Sequence, residues 1–182
     1  MRVLVVGSGG VGSAFVAIAS KREAYDHITV ADIDVDKAHA AVATATNADN
    51  GRVVAAHVDA SSRNSVAALA REMRADLILN ACDPRFNPGI FSGAFEAGCN
   101  YVDMAMNLST PHPTDPFSLT GTRLGDGQFA EHPTWKNRGL MALVGMGIEP
   151  GFADVAARYA ADELFSKIDE IGVRDGADLV VD

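Results

Sequence analysis

The chain has 182 residues, of which 48% are apolar and 21% charged, and its 24 acidic and 15 basic side chains give a formal charge of −9. This length and apolar content suit one large domain, or one domain and the start of another, and they exclude wholesale disorder. The acidic balance argues against nucleic acid or an anionic membrane as a partner, because binding to either needs a basic patch.

The cysteine content and the N-terminus predict a cytoplasmic protein. Cys82 and Cys99 are the only cysteines, too few for a disulfide framework and typical of a reducing compartment. Arg2 is the one basic residue before the first apolar stretch, and four glycines within the first twelve residues interrupt that stretch, so it does not fit a secretory signal. No run approaches the ~18 apolar residues of a transmembrane helix.

Short apolar runs alternate with helical patterns along most of the chain. The runs are too continuously apolar for half-exposed strands and predict strands buried on both faces, as in a parallel sheet. They cover residues 3–6, 28–33, 53–58, 77–81, 101–105 and 141–146. Helices are predicted between them at residues 11–21, 36–46, 64–73 and 88–97. This alternation predicts an α/β fold with a doubly wound parallel sheet.

Two regions depart from this alternation. Residues 106–139 are rich in proline and glycine, and the aromatic side chains Phe117, Phe129 and Trp135 predict an ordered, packed excursion. A helix is expected at residues 152–165, followed by strands at 170–174 and 179–181. Because these strands come after the six of the main sheet, we expect one domain over residues 1–150. Residues 151–182 are then the connecting helix and first strands of a second, α+β domain.

A glycine-rich turn follows the first predicted strand. It matches the pattern GxGxxG and consists of Gly7, Ser8, Gly9, Gly10, Val11 and Gly12. In this pattern the first glycine permits a tight turn, the second lets the backbone approach a pyrophosphate, and the third lets helix and strand pack closely. The start of the following helix favours the diphosphate charge. The turn therefore predicts a dinucleotide site, and the absence of a following Lys-Ser or Lys-Thr pair excludes a triphosphatase P-loop.

An acidic residue, Asp32, ends the second predicted strand 20 residues beyond Gly12. A carboxylate here accepts hydrogen bonds from the adenine ribose and repels a 2′-phosphate. No arginine follows it directly, so we predict NAD as the cofactor, with NADP less favoured. Ile33 is assigned to the same site, and Asp34 is a second candidate for ribose binding. The alternative to a dinucleotide site is that the glycines form only a tight turn and that Asp32 is an acid exposed to solvent.

The ends of the next two strands supply the other candidate cofactor residues, because doubly wound sheets bind ligands outside the carboxyl ends of their strands. Asp59 and Ala60 follow the third strand and are expected near the adenine. The residues expected near the ribose and nicotinamide follow the fourth strand: Asn80, Ala81, Cys82 and Pro84. The alternative for Asp59 is a helix N-terminal acid, and for Cys82 a small buried thiol.

Several local patterns occur together in one order. The glycine turn and Asp32 are followed by Val58-Asp59-Ala60, Asn80-Ala81 with Pro84, Tyr101-Val102-Asp103 and Glu149-Pro150-Gly151. With these patterns the chain resembles the N-terminal half of the saccharopine dehydrogenase-like (saccharopine reductase-type) family. The resemblance covers essentially the whole chain. We expect two departures from the family: a longer excursion over residues 107–139, and a second domain of which these 182 residues hold only the start.

The resemblance implies a Rossmann domain of an NAD(P)-dependent oxidoreductase that acts on a CH–NH bond of an amino acid or polyamine. It also implies a last helix that leads into a separate catalytic domain, and a homodimer. We therefore expect a small, amino-acid-like substrate. The 182 residues alone are expected to bind NAD without turnover.

Chemistry at a CH–NH bond needs a group that moves protons, in addition to hydride transfer. The candidates are Asp103, His112 and Glu149. The alternatives are that Asp103 satisfies loop N–H groups, that His112 is a surface histidine, and that Glu149 only ends a strand. No metal is predicted, because HExxH and CxxC motifs are absent and the other histidines lack ligand spacing: His27, His39, His57 and His132.

Two other functions are compatible with part of these sequence patterns. A non-catalytic nucleotide-sensing module, like the regulatory domains of potassium transport systems, has the same glycine turn and acid. It needs neither the long excursion nor the Glu149-Pro150-Gly151 segment. A Rossmann enzyme for a sugar or an aspartate-derived substrate is the third possibility.

Overall fold

A six-stranded parallel sheet forms the centre of the molecule, as predicted; the computed structural model describes residues 1–46, 51–174 and 176. The strands are β1 Arg2–Val6, β2 His27–Asp32, β3 Val53–His57, β4 Leu77–Asn80, β5 Asn100–Asp103 and β6 Ala142–Leu143. Their order across the sheet is β3-β2-β1-β4-β5-β6, and every pairing is parallel. The order reverses between β1 and β4, where doubly wound sheets bind their ligands.

The register of the strands brings their carboxyl ends to one level. Val6 at the end of β1 pairs with Ala31 of β2 and with Asn80 of β4. Asn80 in turn pairs with Asp103, the last residue of β5. The side chains and loops that follow these strands therefore meet at one edge of the sheet.

The helices cover both faces of the sheet. They are α1 Gly10–Ala19, α2 Val35–Ala43, α3 Arg63–Glu72, α4 Asn87–Ala97, α5 Asp126–Ala130, α6 His132–Asn137 and α7 Phe152–Tyr159. The four helices predicted between the first five strands are confirmed to within a few residues. The last of these ends as its sequence indicates, because Gly98 takes the left-handed conformation that terminates α4, with φ of 78°.

The core lies on both faces of the sheet, which explains the unbroken apolar runs. Leu4 and Val6 of β1 pack in a cluster with side chains of α3 and α4, whereas Val3 and Val5 pack in a second cluster with side chains of α1 and α2. Because both faces are buried, β1 has no position that favours a polar residue.

The last two strands are shorter than predicted. The predicted strands ran over residues 101–105 and 141–146, but β5 ends at Asp103 and β6 at Leu143. The physical reason is that the backbone after β6 turns away: Gly145 has φ of 74°, and its N–H donates to the Asp103 carboxylate rather than to a strand. The backbone hydrogen bonds between β5 and β6 therefore end at Asp103, whose side chain accepts the N–H of Gly145.

The excursion over residues 106–139 packs on the domain through one of its three aromatic residues. Trp135 on α6 is 4% exposed and lies 4.7 Å from Phe91 and 5.4 Å from Phe95 of α4, between ring centroids. Phe117 and Phe129 are 99% and 58% exposed, so the packing predicted for them is wrong. For Phe117 the reason is local closure, since the Thr110 N–H donates to the Thr122 carbonyl and folds the segment between them on itself.

The C-terminal region agrees only in part with the sequence prediction. The helix predicted at residues 152–165 is present as α7 and a following π-helical turn, Ala160–Leu164. Residues 170–174 form no strand, so that prediction is wrong; a strand needs a neighbouring backbone to pair with, and this segment pairs with none in the described chain. The strand predicted at 179–181 lies outside the described residues.

Among the helices of residues 1–46 and 51–174, none has both the length and the apolar character to cross a membrane.

Phe91 is expected to contribute strongly to stability, because it joins α4 to Tyr101 at 5.1 Å and to Trp135. Phe91→Ala should lower the free energy of unfolding by about 3–5 kcal/mol through the cavity that it leaves. Trp135 is the single tryptophan, so its fluorescence in a urea titration measures the change. Phe117→Ala is the matched control, and its effect should stay within about 0.5 kcal/mol. Equal losses in both variants would contradict this packing.

Candidate functional site

A cavity of about 350 Å³ opens at the carboxyl edge of the sheet, at the point where the strand order reverses. Its walls come from the segments that follow β1, β2, β3 and β4. The lining residues are Val6, Gly7, Gly9, Asp32, Ile33, Val58, Asp59, Ala60, Ala81, Cys82, Asp83 and Phe86. The sequence pattern predicted most of this wall, and the fold places its parts together.

The glycines of the turn have different structural reasons. Gly7 has φ of 99°, and a Cβ there would lie 2.9 Å from the Ala81 carbonyl oxygen. A Cβ on Gly12 would lie 2.0 Å from the Gly7 carbonyl oxygen. A Cβ on Gly9 would meet no atom within 4 Å, and Gly9 borders the cavity. The fold itself therefore requires Gly7 and Gly12, whereas Gly9 leaves open space for a ligand.

The N-terminus of α1 begins directly after this open space. Gly9 is its N-cap residue, and no side chain caps the helix. The N–H groups of the first turn are therefore not committed to a capping side chain, and the helix dipole adds partial positive charge. This arrangement suits a phosphate group. Gly10 is equally open, and the side chain of Val11 is half exposed.

Asp32 is held in place by the glycine turn. The Ser8 N–H and the Ser8 hydroxyl each donate to Oδ2 of Asp32 at 2.8 Å, and the Asp34 N–H donates to Oδ1 at 3.1 Å. Partial burial acts to raise the pKa of Asp32, but these hydrogen bonds and nearby Lys37 outweigh it and hold the pKa below its usual value. Asp32 is thus a fixed carboxylate, and Ser8 positions it.

Two further carboxylates border the cavity. The Ser61 hydroxyl and N–H donate to Oδ1 of Asp59 at 2.6 and 2.9 Å, and these bonds lower the pKa of Asp59. Hydrogen bonds from Arg85 lower the pKa of Asp83 to about 2, and the two side chains form an ion pair at 3.0 Å. Sequence reasoning expected the stretch 80–84 near the cofactor without singling out Asp83, and it missed Phe86. The order Asp-Pro, shortly after the end of β4, is a turn signal that could have singled out Asp83.

The residues predicted after β4 divide into two groups. Ala81 and Cys82 border the cavity, whereas Asn80 is 1% exposed and faces the interior. Pro84 begins a 3₁₀ turn, Pro84–Phe86, and is not among the described residues that line the cavity. The Cys82 thiol donates to the Val6 carbonyl at 3.4 Å. Burial, with Asp32 and Asp83 nearby, raises the pKa of Cys82 to about 11, which fits a small buried thiol better than a nucleophile.

The three candidate acid–base residues are not brought together. Asp103 is 1% exposed, and its carboxylate accepts hydrogen bonds from Gly145, Gln128 and Tyr101 at 2.7, 2.7 and 2.9 Å. Burial raises the pKa of Asp103, and these three hydrogen bonds offset only part of that effect.

His112 and Glu149 lie elsewhere on the surface. Nδ1 of His112 accepts from the Asp115 N–H at 3.2 Å within its own loop, and the side chain of Glu149 is exposed. Within the described chain, the cavity wall includes neither of them, nor Asp103. Proton transfer by any of the three stays a prediction.

Comparison with known proteins identifies the family. A model described as the saccharopine dehydrogenase NADP binding domain matches residues 3–143. The chain belongs to this family. The match confirms the resemblance seen in the sequence, and it makes the chain an NAD(P)-binding domain of the saccharopine dehydrogenase type. The family model is named for NADP, whereas Asp32 predicts NAD.

Curated relatives in this family are longer than the chain. Carboxynorspermidine synthase of Vibrio alginolyticus is 28% identical over 183 residues, which is 96% of this chain and 43% of the relative. Carboxyaminopropylagmatine dehydrogenase of Synechocystis sp. is 29% identical over 174 residues, 96% of this chain and 41% of the relative. The chain therefore spans less than half the length of these relatives.

A solved structure supports the fold. Saccharopine dehydrogenase (L-Glu forming) from Saccharomyces cerevisiae superposes with a TM-score of 0.64 at 18% identity, covering 90% of this chain and 31% of that one. The saccharopine dehydrogenase-type domain thus has the doubly wound sheet predicted from the sequence.

The Cys82 thiol should react slowly in the folded domain. A pKa of about 11 instead of 9.0 leaves ~100-fold less thiolate at pH 8, and the thiolate is the reactive form. Cys99→Ser isolates Cys82, and serine retains a donor for the Ala75 carbonyl that Cys99 contacts at 3.0 Å. Alkylation of this variant by iodoacetamide should be ~100-fold slower folded than in urea. Equal rates would show that the fold does not suppress the thiolate of Cys82, and a faster folded rate would show an activated thiol.

Proposed function

We propose that this chain is the cofactor-binding part of an NAD(P)-dependent oxidoreductase that transfers hydride at a CH–NH bond of a small amino-acid or polyamine-type substrate. One observation carries the proposal: the open Gly9, the uncapped α1 and the fixed Asp32 border a single cavity at the reversal of strand order. Relatives named for carboxynorspermidine and carboxyaminopropylagmatine, amines that carry a carboxyl group, support this substrate class. Their names also favour an enzyme over a nucleotide-sensing module.

We propose that the dinucleotide lies along the length of the cavity. We assign the pyrophosphate to Gly9 and the start of α1, and the adenine ribose to Asp32. The adenine is assigned to the wall that contains Ile33, Asp59 and Ala60.

The nicotinamide half is assigned to the side of the cavity formed by Ala81 and Cys82. When bound, the nicotinamide supplies the hydride chemistry of the reaction. The residues of this chain bind and orient the cofactor, and the apolar side chains of Val58 and Phe86 exclude water from the cavity wall.

We also infer the wider organisation of the protein. Residues 1–150 are assigned to the dinucleotide-binding domain, and residues 151–182 to the start of a catalytic and dimerisation domain. The exposed Phe152, Val155 and Tyr159 on α7 support a packing partner for that helix. A cytoplasmic location fits the two free cysteines, Cys82 and Cys99, because unpaired thiols suit a reducing compartment. The homodimer is proposed from the family resemblance alone.

We propose a preference for NAD over NADP, which rests on the charge of the cavity wall. Among the described residues that line the cavity, there is no lysine or arginine, and there are three aspartates. Arg85 neutralises Asp83 from outside, but Asp32 and Asp59 are held as carboxylates by serine donors. A 2′-phosphate would meet these charges, and the cation that acts on Asp32, Lys37, is not one of the described lining residues.

The Asp32 carboxylate should control this preference. We expect the wild-type chain to bind NADH at least ~10-fold more tightly than NADPH in calorimetric titrations, and Asp32→Ala to narrow the ratio by removing the repulsion of a 2′-phosphate. Asp34→Ala is the matched control, since Asp34 is exposed and caps α2 through the Asp36 N–H. Tighter binding of NADPH by the wild type would overturn the NAD assignment. An unchanged ratio in Asp32→Ala would move the role to Asp34.

A side chain at position 9 should be compatible with folding but not with binding of the dinucleotide. Gly9→Val places two methyl groups in the open space at the start of α1 and should abolish NADH binding while the urea midpoint changes little. Gly127→Val is the control, because Gly127 is an exposed helical glycine on α5. NADH titration by fluorescence tests both variants. Normal binding by a folded Gly9→Val protein would refute the dinucleotide site itself.

A further inference from the structure

A chain of five buried polar side chains lies behind the cavity. Asn80 Nδ2 donates to Asn87 Oδ1 at 2.7 Å and to the Tyr101 hydroxyl at 2.9 Å. The Tyr101 hydroxyl donates to Asp103 Oδ2 at 2.9 Å, and Gln128 Nε2 donates to the same oxygen at 2.7 Å. All five residues are at most 5% exposed. None of the five is among the described residues that line the cavity.

The two ends of this chain contact different parts of the molecule. At one end, Asn80 Oδ1 accepts from the Cys82 N–H at 3.0 Å, and Cys82 is part of the cavity wall. At the other end, Gln128 Oε1 accepts from the Asn107 N–H at 2.8 Å, at the beginning of the excursion. The chain of bonds therefore runs from the excursion to the cavity.

The direction of each hydrogen bond follows from Asp103. Its carboxylate receives three donors and acts as an acceptor, so the Tyr101 hydroxyl must donate its single proton to Asp103. The oxygen of Tyr101 is then left to accept from the Asn80 amide nitrogen. This fixes the orientation of the amide and turns its oxygen toward the Cys82 N–H.

We propose that Tyr101, Asp103 and Gln128 are positioning residues that hold the Ala81–Cys82 wall of the cavity in its binding conformation through Asn80. The proposal rests on the proposed function, in that the occupant of the cavity is the dinucleotide. A wall fixed before binding spares the ligand the cost of ordering it. Substitutions outside the cavity then weaken dinucleotide binding without touching the dinucleotide.

The amide proton of Cys82 reports this coupling directly. Its exchange with solvent, measured by ¹⁵N NMR relative to the slowest core amides of the same protein, depends on the bond to Asn80 and requires no ligand. Tyr101→Phe keeps the ring that packs on Phe91 and removes only the hydroxyl. We expect the Cys82 amide to exchange about 10-fold faster in this variant, and NADH to bind about 3- to 10-fold more weakly.

Gln128→Leu tests the far end of this chain of hydrogen-bonded side chains, since Gln128 lies outside the cavity wall. It should also speed exchange at Cys82 and weaken NADH binding, by about 2- to 5-fold each. The control is Ser20→Ala, which removes a buried hydroxyl that accepts from the Thr46 N–H at 3.0 Å, away from this network. It should lower the urea midpoint and change neither the Cys82 exchange nor the affinity for NADH.

The outcomes separate this proposal from the function on which it rests. Unchanged relative exchange at Cys82 in both Tyr101→Phe and Gln128→Leu would overturn the coupling, and faster exchange with unchanged NADH affinity would overturn the positioning role. A wild-type chain that binds no dinucleotide would instead overturn the proposed function, whatever the amide of Cys82 does.

Discussion

The contact between the backbones of Gly7 and Gly12 determines how the start of α1 faces the cavity. The first turn of α1 approaches the end of β1 so closely that a Cβ on Gly12 would lie 2.0 Å from the Gly7 carbonyl oxygen. This contact aims the N-terminus of α1 at the cavity and brings Ser8 within hydrogen-bonding distance of Asp32. A larger side chain at Gly12 would displace the start of α1 and, through the glycine turn, the position of Asp32.

Asp103 organises the opposite half of the domain. It is an acidic group almost completely removed from water, and such burial is tolerated because its oxygens accept from three donors. The donors come from β5, from α5 and from the loop after β6. One carboxylate thus ends a strand, anchors the excursion and stops the growth of the sheet. An aspartate also ends β2, but Asp32 remains accessible because only the glycine turn covers it.

Much of the fold could be predicted because burial on both faces leaves a clear trace in the sequence. Unbroken apolar runs marked β1 to β5, and the glycine spacing with Asp32 marked the reversal of strand order. The short β6 could not be predicted, because Met141 to Met146 is as apolar as a strand and the competing acceptor, Asp103, is 42 residues from Gly145. The expected strand at residues 170–174 failed for a related reason, since apolar alternation does not reveal whether a pairing partner exists.

The cavity wall was more predictable than the acid–base residues. Turn and strand-end signals are local, whereas the surroundings of a carboxylate depend on distant segments. One signal was nonetheless present for Asp103: alternation along β5 places it on the same face as Tyr101, which is a core residue. That face leads into the protein interior, where a carboxylate binds backbone and amide donors. His112 and Glu149 carried no such pattern.

The closure of the excursion by Thr110 and Thr122 has a consequence for how such domains vary. The two residues bring the ends of the intervening segment together, so the segment between them is a loop whose ends are fixed to each other rather than to the sheet. The entropy of closing a loop grows only logarithmically, about 0.6 kcal/mol for each doubling of its length. Insertions and deletions between these two threonines are therefore inexpensive, and the segment can lengthen there without disturbing Asp103 or the cavity.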